Sequence, residues 1–126
     1  MAGALTISTL NDSSGVLATQ NGMTGIAKAW VRFDGSTAGV ASSFNISSVT
    51  RTATGKYTYV FTTSMPNANY SVLGMGSTNG SGGEQIAVAM NSTTTISASG
   101  FSSTTQGYGS GYNIDPAIVC IAVFSS

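Results

Sequence analysis

Short runs of alternating apolar and polar residues make up most of this chain. No stretch of twelve residues carries apolar positions at the three- and four-residue spacing of a helix. β-Branched and aromatic residues fill the runs, and Gly, Asn, Ser and Pro separate them, so the pattern predicts an all-β fold. The clearest strand, residues 26–33, divides into two faces: Ala27, Ala29, Val31 and Phe33 on one, and Lys28, Trp30 and Arg32 on the other.

Further strands are predicted along the rest of the chain. Residues 42–49 form the next one, and Gly55 in a short loop predicts a hairpin between 49–52 and 57–63. Another strand follows at 70–75, and a second hairpin is predicted to join 86–90 to 94–99. Residues 117–124 form the most apolar strand, whose two faces carry Ile118, Cys120, Ala122 and Phe124 on one side and Val119, Ile121 and Val123 on the other.

These strands predict one antiparallel, jelly-roll-like β-sandwich over residues 26–126. We expect the face of Tyr57, Tyr59 and Phe61 to close the sandwich with Ile118 and Phe124, and the opposite faces to pack around a threefold axis. Residues 1–25 are polar and broken by Gly and Asn, so we expect an extended arm that orders against a neighbouring surface. The candidates for an oligomer interface are Trp30, Tyr57, Tyr59, Phe61, Val119, Ile121 and Val123.

The low charge of the chain and its short apolar runs argue against two classes of function, nucleic-acid binding and membrane insertion. Four basic and four acidic residues leave a net charge of zero, and only 6% of the chain is charged. Nucleic-acid binding, which needs several unbalanced Lys or Arg, is not expected. Membrane insertion is not expected either, because the longest apolar run, 117–124, is less than half of a bilayer span. Serine and threonine, 20 and 17 residues, replace the missing charges. A nearly uncharged surface of this kind favours lasting association.

Catalytic chemistry is not expected, and neither is a metal or a cofactor. The chain has no histidine to activate a nucleophile or to bind zinc. Cys120, its one cysteine, lies in an apolar run and is predicted to be a buried free thiol. The carboxylates of Asp34, Glu84 and Asp115 lie in turns and loops, so we interpret them as solvated or turn-capping groups rather than as a catalytic pair.

Residues 102–115 form a predicted loop that is rich in glycine and carries two tyrosines. Neutral polar groups beside aromatic rings are typical of sugar-binding sites, because sugars offer hydroxyl groups and apolar ring faces. The candidate ligand-binding residues are Gln106, Tyr108, Tyr112 and Asn113. The alternative is that both tyrosines fold back over the base of the loop or onto a neighbouring subunit.

The central block resembles a known viral module. Its segments are GIAKAWVRFDG at 25–35, SFNISSVT at 43–50, GKYT at 55–58 and FTTSMPNANY at 61–70. In order and spacing they are similar to the β-rich C-terminal domain of tail-fibre proteins of tailed bacteriophages, especially phages of marine bacteria and cyanobacteria. The likeness covers about residues 25–75. It implies a non-catalytic homotrimer on the exterior of the virion, and it implies no catalytic or ligand residue.

Two roles fit this resemblance. One is a host-recognition tip, which contacts a cell-surface glycan or protein and is joined to other virion proteins through residues 1–25. The other is a capsid decoration protein, whose residues 1–25 clamp neighbouring shell subunits. The resemblance favours the tip, and the short chain favours decoration.

Overall fold

The structure, a computed structural model, describes residues 3, 9–12, 15–18, 26–77, 86–90, 96–107 and 112–125. For 9–12 and 15–18 only the backbone is described. Its strands are β1 Thr9–Asp12, β2 Gly15–Ala18, β3 Ala29–Phe33, β4 Val40–Phe44, β5 Ile46–Ala53, β6 Lys56–Phe61, β7 Ser71–Gly76, β8 Ile86–Met90, β9 Gly100–Gly107 and β10 Val119–Phe124.

Eight of these strands form two antiparallel sheets of four. Sheet I has the order β4-β3-β10-β7 and sheet II the order β5-β6-β9-β8, while β1 and β2 pair with each other. The predicted all-β fold with antiparallel sheets is thereby confirmed. Three hairpins, β3–β4, β5–β6 and β8–β9, each lie within one sheet. The two sheets support the predicted sandwich. A jelly roll is built from two Greek keys, whose long connections join strands that are not neighbours. Hairpins within one sheet differ from that connectivity, so the jelly-roll part of the prediction is wrong.

The chain passes from sheet I to sheet II at Asn45. The predicted single strand 42–49 is wrong, because β4 ends at Phe44 and β5 begins at Ile46. Asn45 has a φ of 54°, a left-handed conformation that asparagine tolerates better than most residues. Its side-chain amide donates to the Lys28 carbonyl at 3.0 Å and to the Thr63 carbonyl at 3.1 Å, and its Oδ1 accepts the Thr63 N–H at 2.7 Å. The corner is therefore held by side-chain bonds to both neighbouring segments.

One predicted hairpin is confirmed and the other is wrong. β5 and β6 pair up to Ala53 and Lys56, and Gly55 in their turn has a φ of 63°. A side chain at this position would be strained, and its Cβ would lie 2.6 Å from the Thr105 carbonyl oxygen. β8, however, pairs with β9 from Ile86–Gly107 to Met90–Ser103, and the described part of the predicted partner strand, residues 96–99, forms no strand.

Aromatic rings from both sheets meet in the core. Phe33 of sheet I lies edge-on to Tyr57 and Tyr59 of sheet II, with centroids 5.0 and 5.8 Å apart. Tyr59 stacks on Phe101 at 4.6 Å, and its buried hydroxyl lies 2.8 Å from Ser103 Oγ. These contacts join the two sheets around one core, in which pairing of the polar atoms accompanies the burial of apolar surface.

The last strand, β10, turns its β-branched residues inward. Val119, Ile121 and Val123 are buried, whereas Phe124 is half-buried and Cys120 is exposed. The predicted inward face of Ile118 and Phe124 and the predicted burial of Cys120 are therefore wrong. β10 lies between β3 and β7, and its register pairs Val119 with Phe33. Because directly paired residues share a face of the sheet, the buried Phe33 determines which side of β10 enters the core.

Among the described residues, the structure contains no helix long and apolar enough to cross a membrane.

Candidate functional site

The candidate site is the outer face of sheet I, the side turned away from the core. Each of its four strands alternates, so the neighbours of the core residues point outward. Trp30 pairs with Phe44 on one side and with Ala122 on the other, and Ala122 pairs with Leu73. These four residues form one row across the sheet, and a second row beside it consists of Ser42, Arg32, Cys120 and Met75. We call this surface the apolar face, and its residues are Trp30, Arg32, Ser42, Phe44, Leu73, Met75, Cys120 and Ala122.

Large side chains on the apolar face stay accessible to water. Leu73 is 62% exposed and Met75 73%, and they line a shallow apolar hollow together with Cys120 and Ala122. Phe44 is 55% exposed and Trp30 39%. Contiguous apolar surface of this kind, as opposed to single scattered residues, marks sites of protein association.

Arg32 is the one charged residue of the apolar face. Arg32 is exposed and makes no ion pair within the described part of the chain. None of the described acidic residues belongs to the two rows of this face. An acidic side chain of a partner near Arg32 would stabilise a complex formed through this face.

The outer face of sheet II has a different character. Thr50, Thr58 and Ser102 lie in one row across it, and the Thr58 and Ser102 hydroxyls are 3.0 Å apart. Lys56 and Thr104 pair in the next row, and Val60 is the one large exposed apolar residue that these strands place there among the described residues. Hydroxyl groups hydrate well, and Thr50 is exposed on this side, whereas Ser102 is buried. The sandwich is thus two-sided, with apolar surface outside sheet I and hydroxyl surface outside sheet II.

The predicted oligomer-interface residues separate into two groups. Trp30 lies on the apolar face and is available to a partner. The other six are buried inside the single chain, which corrects the prediction: Tyr57, Tyr59, Phe61, Val119, Ile121 and Val123. Apolar character predicts these positions, but core and interface residues share that character. Leu73 and Met75, which the structure exposes on the apolar face, are not among the predicted residues, because a strand with glycines between its apolar residues carries a weak alternation signal.

The predicted ligand loop is partly a strand. β9 extends to Gly107, so Gln106 belongs to sheet II, and it forms a bridge with Asn113 in which Gln106 Nε2 donates to Asn113 Oδ1 at 3.3 Å. Tyr112, next to Asn113, is 74% exposed. The structure thus brings Gln106, Tyr112 and Asn113 to one end of sheet II. Tyr108 lies outside the described residues.

Asp115 is the centre of a polar cluster that the sequence did not predict. Its carboxylate accepts hydrogen bonds from Arg51 Nη2 at 2.7 Å and Nε at 3.1 Å, from the Gly55 N–H at 2.8 Å and from the Tyr57 hydroxyl at 3.0 Å. The Arg51 hydrogen bond is the main reason why the pKa of Asp115 lies below its usual value. Burial raises the pKa of Tyr57 to about 12, so its hydroxyl stays a donor.

This cluster ties the segment before β10 to the β5–β6 hairpin. Arg51 and Asp115 are 64 residues apart, so no local pattern could have paired them. Each oxygen of the Asp115 carboxylate accepts at least one hydrogen bond. Within the described residues no group of three His, Cys, Asp or Glu could hold a metal ion.

Comparisons of the chain with protein families, with curated proteins and with solved structures find no match.

Proposed function

We propose that this chain is a non-catalytic bacteriophage virion protein, a tail-fibre module of the receptor-binding type that serves host attachment. Two independent features support the proposal. The first is the resemblance of residues 25–75 to tail-fibre domains, carried by the segments around Trp30, Asn45 and Pro66. The second is the apolar face, which suits a protein that works inside a permanent assembly.

The apolar face carries the proposal, because a free monomer would keep it in water. Burying a large apolar side chain stabilises an association by roughly 1.5–3 kcal/mol. Association costs several kcal/mol in lost translational and rotational freedom. Burial of four exposed side chains could offset a cost of that size: Trp30, Phe44, Leu73 and Met75. We propose that copies of this chain cover the face of one another in a homotrimer, and that the hydroxyl side faces water. In this arrangement the end of sheet II with Gln106, Tyr112 and Asn113 stays open to a glycan or protein of the host surface.

The second candidate function is capsid decoration. The observation that favours it is the β1–β2 hairpin, a small sheet separate from the two sheets of the sandwich. In this second proposal, the hairpin holds neighbouring shell subunits.

Immunogold labelling of purified phage particles that encode this chain tests the proposal. Label at the tail fibres supports the tail-fibre role. Label over the whole capsid, with hundreds of copies per particle, would replace it by decoration. An unlabelled particle, although antibody binds the folded protein in a control blot, would overturn both.

A further inference from the structure

β1 and β2 pair with each other and with no strand of the two four-stranded sheets, and the apolar face is exposed in the described part of the chain. We propose that the hairpin of one copy packs on the apolar face of a neighbouring copy, which makes the assembly an exchange of N-terminal hairpins. This inference rests on the proposed self-assembly and names the segment that mediates it.

A hairpin of this size needs another surface. β1 and β2 pair from Thr9–Ala18 to Asp12–Gly15, which places Leu10 opposite Leu17. Two-stranded hairpins are at best marginally stable in water, and they persist where they pack against something else. β1 and β2 belong to neither sheet of the sandwich.

Charge complementarity connects the hairpin to the apolar face. Asp12 is the one charged side chain in residues 1–25, and it lies at the turn end of the hairpin. Arg32 stands in the middle of the apolar face and is not ion-paired within the described residues. An acid brought by the hairpin would meet this cation, and apolar hairpin residues would cover Leu73 and Met75.

The connection is long enough to reach a second copy. Ten residues, 19–28, separate β2 from β3, and a chain of that length spans at most roughly 35 Å. This exceeds the width of a four-stranded sheet, about 15–20 Å at ~4.8 Å per strand. In the single chain, which includes its own hairpin, Leu73 and Met75 remain largely exposed. In the proposed exchange, the cover comes from another molecule.

Disulfide trapping in the full-length protein tests the exchange, because Cys120 lies on the apolar face. Val16→Cys and Leu17→Cys each place a second thiol in β2. Adjacent residues of a strand point to opposite sides, so one of these variants faces the covered surface whichever side of the hairpin packs there. Thr50→Cys, on the outer face of sheet II, is the matched control. Each variant is oxidised at micromolar concentration and run on a non-reducing gel.

We expect one hairpin variant to form covalently linked chains, with a ring of three as the largest product. Docked thiols meet at an effective concentration in the millimolar range, so the linked fraction should exceed that of Thr50→Cys by about tenfold or more. A monomer with an internal disulfide would overturn the exchange, because the hairpin would then cover its own chain. No excess over the control for either variant would overturn it as well.

A charge reversal gives a second readout that does not depend on disulfide geometry. Asp12→Lys should weaken self-association about tenfold through repulsion from Arg32, whereas Thr50→Lys introduces a lysine on the outer face of sheet II and should leave self-association unchanged. Equal association of both variants would contradict the exchange. If the apolar face proves essential for assembly while these hairpin tests fail, self-assembly stands and only the role of the hairpin is rejected.

Discussion

Trp30 and Phe44 are direct cross-strand partners on the outside of sheet I, and both rings are accessible to water. The residues beside Trp30 in β3, Ala29 and Val31, are buried in the core. The two faces of β3 thus belong to the core on one side and to an exposed apolar surface on the other. This relationship connects the fold to the proposed assembly, because the same alternation that builds the core also builds the face.

The apolar face is tested by adding a charge to it. We expect Leu73→Asp to dissociate the assembly, because an exposed leucine would be replaced by a carboxylate that must be desolvated on association. Val60→Asp, on the outer face of sheet II, is the matched control and should keep the wild-type mass. Because both sites are exposed, each substitution should change the free energy of unfolding of the monomer by only ~0.5 kcal/mol. Light scattering after gel filtration measures the mass, and equal masses would argue against this face.

The sheet-switching residue Asn45 is tested by two substitutions that separate backbone strain from side-chain bonding. Asn45→Ala loses the bonds to Lys28 and Thr63 and keeps a strained φ, so we expect a loss of roughly 2–4 kcal/mol in unfolding free energy. Asn45→Gly loses the same bonds without the strain and should be about 1 kcal/mol more stable than Asn45→Ala. Urea denaturation gives both values. If the two variants were equally stable, the left-handed conformation would not be a source of strain.

The Arg51–Asp115 pair predicts a loss of stability in acid. The folded pKa of Asp115 lies below the ordinary value of 3.8, mainly because Arg51 donates to it. The pair therefore contributes its full stability above pH 3.8, and this contribution is lost as the pH falls through the folded pKa. Asp115→Asn should lower the free energy of unfolding by about 1–2 kcal/mol at neutral pH and flatten its acid dependence.

Asp34→Asn is the control for that experiment. The pKa of Asp34 is also lowered, by its hydrogen bond from Ser36, but this side chain lies in an exposed turn. Asp34→Asn should therefore change the acid dependence of the unfolding free energy much less than Asp115→Asn does. Urea midpoints measured between neutral pH and acid decide the comparison, and an unchanged acid limb in Asp115→Asn would contradict the assignment.

The buried bond between Tyr59 and Ser103 predicts a non-additive pair of substitutions. Tyr59→Phe leaves the Ser103 hydroxyl buried and unpaired, which should cost about 1–2 kcal/mol. Adding Ser103→Ala should recover part of that loss, because no unpaired polar group remains. Thr58 and Ser102 form a similar bond that is only partly buried, so its cycle should show a smaller coupling energy. Equal couplings would mean that burial does not strengthen the inner bond.

The exposed Tyr112 predicts a loss of adhesion without loss of assembly. Tyr112→Ala removes the accessible ring beside the Gln106–Asn113 bridge, and we expect phage adsorption to fall about tenfold while the assembled mass is unchanged. Thr50→Ala, elsewhere on sheet II, is the control. Wild-type adsorption by Tyr112→Ala would reject this end of the sheet as the receptor contact.

The sequence by itself determined the all-β class, the buried faces of β3 and β6, and the β5–β6 hairpin with Gly55 in its turn. Each of these depends on residues only a few positions apart, where strand alternation and the special conformation of glycine act. In β3 and β6 one side is clearly more apolar or aromatic, so the pattern selects the side that enters the core.

The tertiary structure alone decided the rest. β10 is apolar on both sides, so its pattern could not show which side is buried, and only its register with Phe33 turns Val119, Ile121 and Val123 inward. That choice exposes Cys120 and completes the apolar face. Three further features also depend on residues far apart in sequence. They are the hydrogen bonds of Asn45 at the sheet switch, the pairing of β8 with β9 and the Arg51–Asp115 pair. Such contacts depend on how the sheets close, and no local periodicity encodes them.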